Sequence, residues 1–592
     1  APSDSYLFQS QPQYNLTNAV FGVFFNDGAS DYYVGNDATN HQRQLNFIDT
    51  FSWNFGKHNL KFGGDYRRLT PKNGYRPYDL FYDFASMQDL ISSQVPVYAS
   101  IDSAQTTSLR PVFNDVSFFA QDTWQVNSRL TLNYGLRWDI DPAPSDSGGH
   151  PLYTAINLQD PANVALAPAG TKLWSASKTN FGPRIGGSYL VHNRAGWETV
   201  VRAGWGLYFG LGDEIGAQGT LGAPYTSTKT LYGEDGIYPL TQDQATPLPL
   251  TTDPPYSLVF AFDPHLKDPR VQMYNVSVQQ NIGSSRSLLL SYVGNVGRDL
   301  LRSELLQPTE GGNPNFAYLT VYSNSDYSNY NSAQVQFKQQ MSHHLQALFS
   351  YTWSHAMDNG SSLALPNPYF NVYDPHLDYG NSDLDVRNSF SNAITYEAPG
   401  LKGGNPALRY ITNGWAVDSL FRSNSALPVN VITGQFGAFG LMWNNDAVNQ
   451  RPNVVSGAPF YIDDPAAPGG KRINRAAFQT PDDINTQGNL QRNTVRGFGA
   501  WQEDIALRRT FPIHEGLNLL FRAEAFNIFN HPLFGDPGTN DNDQNSLANA
   551  NFGLSAHTLA DSLGGGGADG GFSSLYQIGA PRSLQFALKL QF

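Results

Sequence analysis

Residues spaced for catalysis are scarce in this chain. The twelve histidines are scattered or fall in turns, as at His343–His344, and no GxSxG, HExxH or GxxxxGK[ST] spacing supplies a nucleophile, a zinc pair or a phosphate cradle. The glycines at 564–567 lack a following Lys-Ser/Thr and a strand-then-helix setting, so they read as flexible loop. DPGTNDNDQN (536–545) gathers oxygens of the kind calcium takes, but without EF-hand spacing, and a solvated surface loop is the favoured reading. YSNSDYSNYN (322–331) offers tyrosines on which a sugar can stack, yet a strand entering an aromatic belt explains it more simply. With no cysteine, disulfides and thiol chemistry are impossible and a zinc site would rest on His and carboxylates. No catalytic, cofactor or metal site is expected, and the chain is not read as an enzyme. What remains is a set of alternating charges: Asp65 and Arg67, Arg137 and Asp139, Arg522 and Glu524. Each pair is separated by one residue, so in a strand both members share a face. There they can pair across neighbouring strands or contact a further domain, and a solvated wall with no ligand is the plainer outcome.

Strands are indeed what the sequence offers to carry them. In LTLNYGLRWDI, Leu130, Leu132, Tyr134, Leu136, Trp138 and Ile140 fall on one face, and Thr131, Asn133, Gly135, Arg137 and Asp139 on the other. HNLKFGGDYRR, HLQALFSYTWSH and SLQFALKLQF alternate in the same way. Short connections near residues 57, 127, 194, 285, 342 and 514 read as hairpins. Long ones, rich in Gly, Pro, Asn and Asp, run over 71–111, 142–177, 211–268, 300–326, 358–381, 426–497 and 534–580. Short and long alternate, with 399–414 of middling length at a short position. A first strand near 13–25, seven hairpins and the last strand make about 16 strands.

A soluble sandwich has no reason to sort its long loops to one end, whereas an outer-membrane barrel does, with tight periplasmic turns and long extracellular loops. An all-β, antiparallel transmembrane barrel is therefore expected, over 1–592 as one barrel domain. A spanning sheet must close, apolar outside and polar inside. Leu132, Leu136, Phe586 and Leu588 are assigned to lipid; Asn133, Arg137, Gln585 and Lys589 to the lumen; Trp53, Trp124, Trp138 and Trp353 to the interfacial belts. Composition agrees: 15% charged and 13% aromatic residues suit a wall facing something other than water. The net charge of −13 argues against nucleic acid as partner. No apolar run reaches the length of a transmembrane helix.

Several segments, taken in order, resemble the TonB-dependent outer-membrane transporters, specifically the Oar-like group. They are FGKHNLKFGGDYRR (55–68), SFFAQDTWQVNSRLTLNYGLRWDI (117–140), NFGPRIGGSYL with VVRAGWGLYFG (180–190, 200–210), and QMYNVSVQQNI with SLLLSYVGNVGRDL (272–282, 287–300). NYNSAQVQFKQQMSHHLQALFSYTWSHAMDN (329–359), GWAVDSLFRSNSALPVNV (414–431) and DIALRRTFPIHEGLNLLFRAEAFNIFNHPLFGDP (504–537) complete the set. The resemblance implies a barrel of 22 strands, preceded by a signal peptide, a carboxypeptidase-regulatory-like domain, a TonB box and a plug, none of which is recognisable here. The chain is accordingly expected to be the C-terminal barrel portion of a longer transporter. Implied partners are outer-membrane lipid and lipopolysaccharide, the TonB complex through a plug absent from this chain, the barrel assembly machinery and a solute of unknown identity. Phe592, a terminal aromatic on a strand, resembles the signal that machinery reads. The location implied is the outer membrane, loops outside and C-terminus periplasmic. A passive porin of about 16 strands is the alternative, and a surface-attached adhesive β protein a further one.

Overall fold

The computed structural model describes residues 7–591 except 26–30, 36–40, 73–76, 105–108, 211–212, 307–312, 362–374, 401, 404, 436–449, 515, 536, 538–544, 556–557, 560–578 and 580. Fifteen long strands follow one another in a single antiparallel sheet, each hydrogen-bonded to the next, and form the wall of the molecule. They are β1 (His41–Phe55), β2 (His58–Lys72), β3 (Pro111–Gln125), β4 (Leu130–Ile140) and β5 (Asn180–His192). Next come β6 (Thr199–Phe209), β7 (Arg270–Ile282), β8 (Arg286–Leu306), β9 (Phe316–Ser342) and β10 (Leu345–Asp358). The last five are β11 (Asn388–Glu397), β12 (Trp415–Asn424), β13 (Ala500–His514), β14 (Leu517–Phe526) and β15 (Ser583–Gln591). Three accessory strands, Ser145–Asp146, Tyr256–Phe262 and Gly380–Asn381, bring the sheet to 18. No described helix is long and apolar enough to cross a membrane.

The hairpins follow from local chemistry. Phe55 pairs with His58 across Gly56–Lys57, and Gly56 has φ +58°, where a side chain would be strained. Ser342 pairs with Leu345 across His343–His344, which adopt φ 52° and 67° without being glycine. The connection of middling length, 399–414, holds a short helix, Pro406–Thr412, started by the Asn405 side chain.

Two segments depart from expectation. The stretch near 13–25 is not the first strand of the wall. Ala19–Phe25 instead lies within a separate five-stranded sheet, beside Tyr32–Gly35 and parallel to Tyr78–Phe84, which continues to Tyr98–Ala104 and Thr226–Tyr232. The reason is visible in AVFGVFF, an uninterrupted apolar run whose first five residues are buried, which suits a covered sheet and not a two-faced wall. The expected long loop over 300–326 is mostly strand. β8 and β9 reach 21 and 27 residues, staying paired until Leu306 meets Leu319.

The packed cores sit at the long-connection end of the wall. One joins Phe8, Phe21, Tyr78, Tyr82 and Ile101 in the five-stranded sheet; others join Val259, Phe316 and Leu319, and Val431, Ile473, Phe478 and Phe552. The wall has a different pattern, with large apolar side chains left exposed at alternate positions: Phe47, Phe51, Trp53 and Phe55 on β1, and Leu584, Phe586, Leu588 and Leu590 on β15.

Candidate functional site

Directly opposed residues of an antiparallel pair point to the same side, so the register sorts the wall into two faces. Leu132 stands opposite Trp124, Phe118 opposite Trp138, and Phe521 opposite Leu588 on the apolar face. Trp138 is stacked on Phe181 with ring centroids 5.6 Å apart, and Trp124 on His58 at 5.3 Å. Trp53 and Trp124 lie beside the short turns, whereas Trp138 and Trp353 lie toward the other ends of β4 and β10.

On the polar face the charges singled out in the sequence fall into two groups. On β2 to β4, Asp65 faces Ser117, which faces Asp139, while Arg67 faces Asp115. Arg67 reaches Asp115 at 2.7 Å, and Arg137 reaches Asp139 at 2.7 Å and Asp65 at 3.8 Å. Arg522 and Glu524 lie far along the sheet on β14, 2.8 Å apart. There the register sets Arg508 against Arg522, two like charges face to face. Asp418 on β12 sits 3.1 Å from Arg508 and 3.8 Å from Arg522, accepts from the Thr395 hydroxyl at 2.8 Å, and so compensates the pair. Glu397 adds a contact to Arg508 at 3.5 Å. The six residues therefore do not form one site. Asp115, Glu397, Asp418 and Arg508 complete the two clusters; only the cross-strand register, which a single sequence does not print, brings them in. Phe592 lies outside the described residues, as do 564–567 and most of 536–545.

Beside the first cluster and sharing Arg137 with it, β3 to β7 carry a depression of about 550 Å³. Gly135, Gly186, Gly204 and Gly206 thin its floor, and Arg137, Arg184, Tyr208 and Asn275 border it. Arg184 lies over the Tyr208 ring, 4.3 Å from its centre. A Cβ at residue 206 would come within 2.9 Å of that ring, so Gly206 is what lets Tyr208 fold back to the arginine. The stretch 322–331 is strand within β9, and two of its tyrosines pack against other rings of the chain. Tyr322 is buried against Phe262 at 5.4 Å, and Tyr327 is stacked on Tyr379 at 5.2 Å while its hydroxyl meets His376 Nδ1 at 2.8 Å.

The wall is thus a scaffold with one polar and one apolar face, capable of lining a conduit and holding charge in fixed pairs. Over residues 2–562 the sequence matches the model of a family described as outer membrane beta barrel domain. No curated protein matches it. Among solved structures it is similar to the outer membrane transporter YddB from Escherichia coli, at 12% identity and TM-score 0.49, over 87% of this chain and 55% of that one. The ferric preacinetobactin receptor BauA from Acinetobacter baumannii aligns at 11% identity and TM-score 0.43, over 94% of this chain and 55% of that one. The FrpB iron transporter from Neisseria meningitidis (F3-3 variant) aligns at 11% and 0.42, over 93% and 55%. The chain spans about half the length of these proteins.

Proposed function

The chain belongs to the outer membrane beta barrel domain family and so to the outer membrane, and from that premise we propose that it is the barrel portion of a TonB-dependent transporter of the Oar-like group. The observation that carries the proposal is the coupling of two sortings in one sheet: apolar side chains to one face, and long connections to one end. The first is what a lipid-facing belt requires, the second what an uptake receptor uses to capture solute.

In this proposal the apolar face meets lipid and lipopolysaccharide, and the face bearing Asp65, Arg67, Arg137, Asp139, Arg522 and Glu524 lines the lumen. The long connections are extracellular and gather a large or scarce solute, whose identity and direction of passage stay open. No group in either cluster needs to do covalent chemistry. Energy would come through TonB acting on a plug outside this chain, and assembly through the barrel machinery. A passive porin fits less well, because β1 and β15 have no partner on their outer edges among the described residues.

The absence of native cysteine makes sidedness directly testable. Ala466→Cys lies in an exposed stretch of the connection between β12 and β13, and Ser284→Cys in the exposed turn between β7 and β8. In intact cells producing the full-length protein, a membrane-impermeant maleimide is expected to label the first and spare the second; the opposite pattern would reverse the assignment. Uptake that survives loss of TonB would remove the energy-coupled reading and leave the barrel.

A further inference from the structure

β8 and β9 outrun every other strand of the wall, and what is packed around their far ends is charged and buried. Arg302 on β8 is fully buried, with Glu304 at 3.0 Å, Asp326 of β9 at 3.4 Å and Asp378 of the connection between β10 and β11 at 3.4 Å. Arg492, from the connection between β12 and β13, is buried beside them. It reaches Asp358 at the end of β10 at 2.7 Å, Asp383 at 3.2 Å and the Ser361 hydroxyl at 2.6 Å. From the same connection Arg451 donates to the carbonyl of Leu377, next to Asp378, at 3.1 Å. Arg496 grips Asp385, which Arg387 also contacts at 3.0 Å. Three separate segments are thus pinned together through guanidinium groups, of which Arg302, Arg451 and Arg492 are buried.

The charges around Arg302 do not cancel. Facing this centre are Arg302 and Glu304 of β8, Asp326 of β9, Asp358 of β10, Asp378 of one connection, and Arg451 and Arg492 of another. His376, on the same turn as Asp378, is turned to Tyr327. Among the described residues, four buried carboxylates therefore meet three guanidiniums here, and Arg492 also serves the half-exposed Asp383. An uncompensated buried negative charge is costly, and the simplest relief is a proton. We propose that this cluster is a proton-controlled latch, which clamps residues 375–387 and 450–497 onto the β8–β9 extension when a carboxyl group in it is protonated and loosens them when it is not.

The assignment of a titrating group follows the geometry. Burial pushes the Glu304 carboxyl up to about 7 and that of Asp326 to about 6, with Arg302 opposing in both cases. The sign is fixed by linkage: a carboxyl whose value is raised on folding binds protons more tightly folded than unfolded. Its stabilisation is therefore lost as pH rises through about 7, and is fully present only below the ordinary carboxylate range. The latch should close on acidification and open toward pH 8. This inference rests on the reading that the far ends of β8 and β9 stand outside the bilayer, where pH varies.

The test is hydrogen exchange of the full chain in detergent at pH 5.5 and pH 8, corrected for intrinsic rates. Peptides covering 300–306, 319–327, 375–387 and 487–497 are expected to gain about tenfold protection at the lower pH, while the hairpin at Gly283 does not change. Glu304→Gln, a permanent mimic of the protonated group, should give high protection at both pH values, and Arg302→Met low protection at both. Protection of the wild type that is independent of pH, or a Glu304→Gln protein that keeps the wild-type pH response, would overturn the latch. Exchange in detergent needs neither transport nor TonB, so its failure is distinct from that of the transporter proposal, which the maleimide experiment decides.

Discussion

At the scale of single residues, Asp418 shows how the wall tolerates its own charges. Arg508 and Arg522 are brought face to face by register, and the carboxylate between them makes the arrangement neutral enough to keep. All three side chains are partly exposed, so the effect is modest. Asp418→Asn is expected to cost about 1 kcal/mol of wall stability, and adding Arg508→Gln should recover about half of it by removing the repulsion. Urea unfolding from detergent micelles reads both; equal losses for the single and double variants would dissociate Asp418 from the arginine pair. His343 and His344 make the converse case. Their φ values of 52° and 67° are those of a type I′ turn, for which Asn-Gly is the favoured pair. His343→Asn with His344→Gly should stabilise the β9–β10 hairpin by about 1 kcal/mol, measured as a rise in melting temperature, because left-handed backbone costs a bulky residue more than it costs Asn or Gly. The sequence showed that these histidines stood in a turn; it did not show that the turn was strained, since strain depends on the two-residue loop length set by the Ser342–Leu345 pairing.

At the scale of elements, the wall was legible wherever one face of a strand had to be apolar. Leu130 to Ile140 and Ser583 to Gln591 alternate because one side meets something apolar and the other does not, and both are strands. Legibility ended where that constraint ends. The stretch SNSDYSNYN lacks an apolar face, yet it continues β9, because there its side chains meet packed connections and ion pairs instead of lipid. Ala19–Phe25 failed in the other direction, being apolar on both faces and therefore covered on both. The polar clusters were half legible for a related reason: Asp65, Arg67, Arg137 and Asp139 alternate within their own strands, while their partner Asp115 is fixed only by the offset between β2 and β3. Gly206 makes an element-scale prediction. Valine there strikes the Tyr208 ring, so Gly206→Val should release Arg184 from its stacked position without breaking β6, whereas Gly204→Ala meets the Asn275 amide at 3.5 Å and the Ile185 carbonyl at 3.8 Å, ordinary contacts, and should be silent. Nitration of Tyr208 by tetranitromethane, read by mass spectrometry of its peptide, would report the change in the ring's surroundings; equal nitration in the two glycine backgrounds would show that the ring does not depend on residue 206.

At the scale of the whole molecule, the wall poses a problem of closure. Fifteen alternating strands mean that β1 and β15 run the same way, both toward the end with the short turns. Joining them would require a parallel pair in an otherwise antiparallel barrel, and bacterial single-chain barrels carry even strand numbers. Leaving them apart exposes two rows of backbone donors and acceptors, which hydrocarbon does not permit. Both conditions are met if an odd number of further strands, beyond the fifteen among the described residues, lies between β1 and β15 in the membrane. Thr50 and Ala587 both lie on the polar face and near the middle of their strands, so Thr50→Cys with Ala587→Cys reports adjacency. In the full-length protein no disulfide is expected between them, and the present chain alone, added to a planar bilayer, should give erratic leak and no steady steps. A disulfide that forms readily, together with stable ohmic steps from the chain alone, would show that β1 and β15 close on each other, and would move the molecule from the energised transporters to the passive pores.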